Sequence, residues 1–232
     1  MREIVLDTET TGLDPFSGHR LVEIGCVELI NHIRTGNHFH IYLNPERDMP
    51  REAENVHGLS AEFLKDKPLF STVAASFLEF IGDSPLVIHN AGFDLKFLNA
   101  ELDAQGLPQI EFSRAIDTVI MARKKFPGSP ANLDALCKRF NVDTSTRTKH
   151  GALVDAELLA EVYLELLGGR QANLLGGAGD ANHDSQSTNH ESPLTFSGHT
   201  DLPPRSFPPT SDELAAHKAA IDKVKNAIWL AS

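Results

Sequence analysis

Two short apolar runs constrain this chain most, because each delivers a carboxylate to its end. Glu3-Ile4-Val5-Leu6 has strand character and stops at Asp7. Side chains two apart on a strand share a face, so Asp7 and Glu9 point the same way. Leu86-Val87-Ile88 is a second such run. It gives way at His89-Asn90-Ala91-Gly92 to a helical pattern, Phe93-Asp94-Leu95-Lys96-Phe97-Leu98, placing Asp94 in the first turn of a helix just past a strand end. A third acidic position opens a longer helical period, carried by Ala152, Leu153, Ala156, Leu159, Ala160, Tyr163 and Leu167. Here His150 and Asp155 stand five apart, roughly 140° around an ideal helix. They border one site only if the helix starts irregularly or the site wraps its end, and Gly151 permits an irregular start.

Carboxylates gathered from distant segments are what a two-Mg²⁺ phosphodiesterase site needs. Mg²⁺ takes a few carboxylates together with substrate phosphate oxygens, and a nearby imidazole can remove a proton from an attacking water. Each cluster alone also has a plain reading: a solvated strand end, an acid favoured by a helix dipole, or an isolated H-x4-D. The signal lies in the three together, in this order, each at the edge of an element.

In this order the motifs Asp-x-Glu, a central Asp and His-x4-Asp resemble the DEDDh family of 3′–5′ exonucleases, and within it the proofreading subunits of bacterial replicative DNA polymerases. The likeness runs from Arg2 to about Gly169. It includes V-L-D-T-E-T-T-G-L at 5–13, V-E-I-G-C-V-E-L at 22–29, N-V-H-G-L at 55–59 and V-I-H-N-A-G-F-D at 87–94. A-R-K-K-F-P-G at 122–128, N-L-D-A-L-C-K-R-F at 132–140 and K-H-G-A-L-V-D-A at 149–156 extend it. The resemblance implies an α/β chain of ribonuclease H-like exonuclease fold, a mixed central sheet flanked by helices. It implies hydrolysis of the 3′-terminal phosphodiester of DNA, releasing deoxynucleoside 5′-monophosphates. Asp7, Glu9, Asp94 and Asp155 would hold two Mg²⁺ or Mn²⁺, with His150 as general base. Thr10, Glu52, Val56, His57, Asn90 and Phe93 would position the terminal nucleotide, although His57 also reads as a structural loop histidine. A sibling enzyme that trims RNA shares these motifs and stands as the alternative. His19, His32, His38, His40, His183, His190, His199 and His217 read as surface or packing residues.

The chain has 232 residues and a net charge of −11, which argues against strong stand-alone binding to DNA. Residues 114–149 run against this trend. Arg114, Arg123, Lys124, Lys125, Lys138, Arg139, Arg147 and Lys149 face only Asp117, Asp134 and Asp143 there. That stretch is either a phosphate-guiding face or the solvated side of two helices. Cys26 and Cys137, both in apolar surroundings, suit a reducing compartment. With no signal peptide expected in M-R-E-I-V-L-D and no membrane-length apolar run, a cytoplasmic location is expected.

The pattern predicts strands over 3–9, 20–30, 36–43 and 86–89, with an extended piece at 112–116. It predicts a short helix capped by Ser60, and helices over 71–82, 92–105, 117–126, 132–140 and 151–167. Residues 1–169 are thus the expected nuclease domain. From 170 to 208 the chain is rich in Gly, Asn, Ser, Thr, His and Pro, a composition expected to form a flexible linker. Within it Gln171, Leu174 and Leu175 resemble a sliding-clamp-binding pentapeptide, and Glu191-Ser192-Pro193-Leu194-Thr195-Phe196 is a looser match. Residues 209–232 change again: Ser211 or Asp212 can cap an amphipathic helix carrying Leu214, Ile221, Val224 and Ile228, followed by Trp229. A helix tethered by a linker reads as a docking element. The resemblance implies that its partner is the catalytic (alpha) subunit of the polymerase.

Overall fold

β1 (Arg2–Thr10) forms the middle of the sheet in the computed structural model, which describes residues 1–145, 147, 149–169 and 210–221. On one side it pairs antiparallel with β2 (Leu21–Ile30), which pairs antiparallel with β3 (Ile33–Tyr42). On the other side it runs parallel to β4 (Leu86–Ile88), and β4 runs parallel to β5 (Ala115–Asp117). Among the described residues these make one mixed sheet of order β3-β2-β1-β4-β5.

Alternation along β1 divides the core in two. Ile4 and Leu6 pack with Ile24 and Cys26 beneath α3 (Phe70–Ile81) and α4 (Ala91–Ala104). Val5 faces the opposite way, with Val27 and Val87, toward α5 (Thr118–Lys125), α6 (Leu133–Phe140) and α7 (Ala152–Leu167). The odd-numbered residues of β1 therefore look at α7, and Asp7 and Glu9 are odd-numbered. Both faces are covered, so the parallel strand β4 is a wholly buried apolar run.

Three local features depart from the sequence pattern. β3 starts at Ile33 rather than 36, because Asn31 and His32 both adopt positive φ (51° and 65°) and close a two-residue hairpin between Ile30 and Ile33. A helix, α1 (Arg51–His57), stands where none was expected. Its start at Pro50 has no side-chain cap, and His57 is its only buried residue, so no apolar stripe announces it. The piece at 112–116 is a 3-10 turn over Phe112–Arg114 followed by β5. The short helix α2 (Ala61–Leu64) is capped as expected, Ser60 Oγ accepting the Phe63 N–H at 3.1 Å.

In the C-terminal region, taken by itself, α8 (Ser211–Ile221) is capped by neither Ser211 nor Asp212. Thr210 Oγ1 accepts the Glu213 N–H at 3.3 Å while Glu213 Oε2 accepts the Thr210 N–H at 2.8 Å, a reciprocal capping box. Leu214 lies exposed on this helix. The candidate contacts Val224, Ile228, Trp229, Gln171, Leu174 and Leu175, and the side chain of Ile221, lie outside the described residues. Among the described residues no helix is long and apolar enough to cross a membrane.

Candidate active site

The C-terminal end of β1 meets the N-termini of two helices, and this convergence assembles the acidic cluster. β4 turns directly into α4 through Asn90, whose positive φ of 69° reverses the chain, and Asp94 then falls in the first turn of α4. Thr8 Oγ1 donates to Asp94 Oδ1 at 2.7 Å, tying that helix to β1. On the other face, α7 starts at Ala152 after an extended Gly151, and Asp155 lies in its first turn with its N–H bonded to Gly151 O at 2.8 Å. His150 is outside the helix, which resolves the angular problem of a five-residue spacing. Its Nδ1 lies 3.2 Å from Asp155 Oδ2. Both helix dipoles favour negative charge at these positions.

Donor atoms of Glu9, His150 and Asp155 all lie within 4.8 Å of one another. The carboxylates disturb each other strongly. Asp7 is held well above the usual carboxylate range by burial, then by Asp94, Glu9, Asp155 and Glu23. Glu9 is pushed up to about 8 by burial, then by Asp155, Glu23 and Asp94, with Arg147 opposing. Burial pushes Asp94 up to about 7 against the lowering hydrogen bond from Thr8. A cluster that resists its own charge is one that a multivalent cation relieves. An Arg147 guanidinium already stands as a cation on Asp155, with Nε to Oδ1 at 2.6 Å and Nη2 to Oδ2 at 2.7 Å. Oxygen-dominated donors of this kind fit hard divalent ions.

Beside the cluster, Thr10, Glu52, Val56, His57 and Phe93 line one cleft of about 560 Å³ that also takes in Glu9, Gly12, Leu13 and His19. The cleft explains α1, since Glu52, Val56 and His57 reach it from that helix. His150 is held against the same helix by its backbone N–H, bonded to Val56 O at 3.3 Å. His57 Nδ1 accepts the Leu59 N–H at 3.0 Å, and burial lowers its affinity for a proton. Asn90 instead lines a separate cleft of about 730 Å³ with His89, Asp117 and Arg123.

Four residues of consequence lie outside the three catalytic motifs. Gly25 lies opposite Asp7 in the β1–β2 ladder, and a Cβ there would come within 2.3 Å of the backbone of Ala152 and Leu153. Glu23, opposite Glu9, is buried and bonded to His40 Nε2 at 2.7 Å. Asp117 caps α5 through Val119 N–H at 2.8 Å and accepts the Ala91 N–H at 3.0 Å, fixing the start of α4. His19, expected to be a surface or packing residue, lines the cleft with Nδ1 3.2 Å from Thr11 Oγ1. Lone polar residues give no periodic signal, and only a strand register brings the first two to the site.

Part of the basic stretch at 114–149 is structural. Arg114 bonds the carbonyls of Gly82 and Ser84, and Lys125 those of Glu165 and Leu166 at the end of α7. Arg139 stacks on Phe126, its guanidinium carbon 4.3 Å from the ring centre.

A family model described as Exonuclease matches residues 4–163. The DNA polymerase III subunit epsilon of Rickettsia felis is 55% identical over 227 residues, spanning 97% of either chain. That of Escherichia coli is 42% identical over 241 residues, spanning 99% of this chain and 98% of its own. Among solved structures, Exonuclease X in complex with 5′-overhanging duplex DNA is similar with a TM-score of 0.57 at 26% identity, covering 71% of this chain and 90% of that one. The nuclease domain of 3′hExo, a DEDDh family member, shares the fold with a TM-score of 0.61 at 19% identity, covering 72% and 91%. The chain belongs to the exonuclease family, among the DNA polymerase III epsilon subunits.

Proposed function

We propose that this chain is the proofreading 3′–5′ exonuclease of a replicative DNA polymerase, hydrolysing the 3′-terminal phosphodiester and releasing deoxynucleoside 5′-monophosphates. The observation that carries the reading is identity to epsilon subunits over nearly the whole length, tail included. Family membership implies divalent metal ions, and the finer assignment is two Mg²⁺ or Mn²⁺ held by Asp7, Glu9, Asp94 and Asp155. Such ions supply Lewis-acid stabilisation of charge developing on the phosphoryl oxygens. His150, half-exposed and just ahead of the extended Gly151 that leads into α7, takes the proton of the attacking water. Thr10, Glu52, Val56, His57 and Phe93 hold the terminal nucleotide in the cleft beside Glu9. Asn90 joins this set from a second cleft that it lines with His89, Asp117 and Arg123.

Residues 1–169 form the nuclease, and 170–208 link it to a docking element at 209–232 that binds the catalytic (alpha) subunit. Gln171, Leu174 and Leu175 are the segment to test against the sliding clamp. Tethering raises effective concentration, so a chain of net charge −11 does not need tight DNA binding of its own. The test compares a mismatched DNA primer, a paired primer and a short RNA. Unpairing the last base costs less at a mismatch, so the mismatched end should be cut fastest. Equal cutting of both primers with faster cutting of RNA would instead identify an RNA-trimming enzyme.

A further inference from the structure

Arg147 lies in the segment between α6 and α7 and belongs to none of the motifs. Its guanidinium nevertheless grips both oxygens of Asp155, at 2.6 and 2.7 Å, and Nη2 also lies 2.8 Å from His150 Nδ1. The third nitrogen, Nη1, bonds Asp134 Oδ1 on α6. The Arg147 side chain is 9% exposed and that of Asp155 5%, whereas Asp134 is 69% exposed. Asp155 and His150 are also two of the three residues whose donor atoms converge within 4.8 Å. The planar fork of an arginine therefore covers the donors that a metal ion would use.

Physical chemistry gives this contact a purpose in the metal-free chain. A buried carboxylate among other carboxylates is unstable without a positive partner, and an arginine stays charged at any working pH. Asp134 bonds the third nitrogen from the solvent side and so helps hold the guanidinium over Asp155.

We propose that Arg147 is a tethered counter-ion that occupies Asp155 in the metal-free protein and is displaced when a divalent ion takes the site. Metal affinity is then set by competition between the two cations. The proposal rests on Asp155 being a metal ligand, and it differs from a supporting role, in which Arg147 would hold Asp155 ready for the ion.

Calorimetric titration of the full chain with Mn²⁺ alone separates these roles. Arg147→Gln should bind Mn²⁺ about tenfold more tightly than the parent, a change worth ~1.4 kcal/mol. It should also melt lower in chelator and recover when Mn²⁺ is added. Asp134→Asn, which leaves every candidate ligand intact and loosens only the anchor, should shift affinity the same way by about threefold. Unchanged or weaker Mn²⁺ binding by a folded Arg147→Gln overturns the competition, and if that variant does not fold, Asp134→Asn decides on the same criterion. The site reading itself fails in a different way, if the parent binds no Mn²⁺ or if Asp7→Ala binds it equally well, and the competition falls with it.

Discussion

Gly25 stands directly across the β1–β2 ladder from Asp7, and the first residues of α7 rest upon it. The missing side chain is what lets the helix start come close enough for Asp155 to join Asp7 and Glu9. Gly25→Ala should therefore act on the site through the helix. A methyl group 2.3 Å from the Ala152 and Leu153 backbone forces α7 outward. We expect a stability loss of about 1–3 kcal/mol from overpacking, and a rate loss on the order of 10²-fold from misplacing Asp155. Thermal unfolding and single-turnover rates measure the two, and near-normal rates in Gly25→Ala would show that the packing of α7 on β2 is not what places Asp155.

The pH dependence of stability should have an unusual sign without metal. Asp7 lies well above the usual carboxylate range, Glu9 near 8 and Asp94 near 7. Folded-state values above the unfolded ones mean that the folded protein binds more protons between them. The associated stability is therefore present below about pH 4 and is lost as pH rises through 7 and 8. Melting temperatures in chelator should fall over that window. Saturating Mg²⁺ should remove the fall, because the ion stabilises the charged form. A melting temperature rising with pH in chelator would contradict the electrostatics assigned to the cluster.

Much of the site was readable because the chemistry sits at ends of elements with strong local signals. Ile4-Val5-Leu6 and Leu86-Val87-Ile88 are apolar runs, and the acids follow at once. What remained hidden depends on contacts between elements. Gly25, Glu23 and Asp117 acquire meaning only through strand register and helix position. α1 lacks both a cap and an apolar stripe, although it supplies Glu52, Val56 and His57 to the cleft. Arg147 read as part of a basic stretch, since nothing in its neighbourhood shows that its guanidinium folds back onto Asp155.

His150→Ala should slow hydrolysis by ~10²–10⁴-fold, the usual range for a general base, with little change in metal affinity. Flattening of the acidic limb of the pH–rate profile should accompany it. Since His150 lies within ligand distance of Glu9 and Asp155, a fall in Mn²⁺ affinity matching the fall in rate would make it a ligand instead.

Removal of residues 170–232 should leave hydrolysis of single-stranded DNA nearly unchanged and abolish binding to the polymerase subunit. Within the tail Trp229 should be the best single anchor, because tryptophans are frequent interface hot spots whose truncation costs ≥ ~2 kcal/mol. A pull-down with the full chain, the 1–169 fragment and Trp229→Ala measures this. Undiminished capture of the polymerase subunit by the 1–169 fragment would place the docking surface on the nuclease domain.

The most direct measurement is the rate of deoxynucleoside 5′-monophosphate release from a 3′-mismatched primer in Mg²⁺, by the parent chain and by Asp7→Ala at equal folded concentration. Asp7 sits on the central strand among Glu9, Asp94 and Asp155, so its removal should abolish release while the fold persists, and should take metal-dependent thermal stabilisation with it. Near-parental release by Asp7→Ala would contradict the assignment of this cluster as the catalytic site.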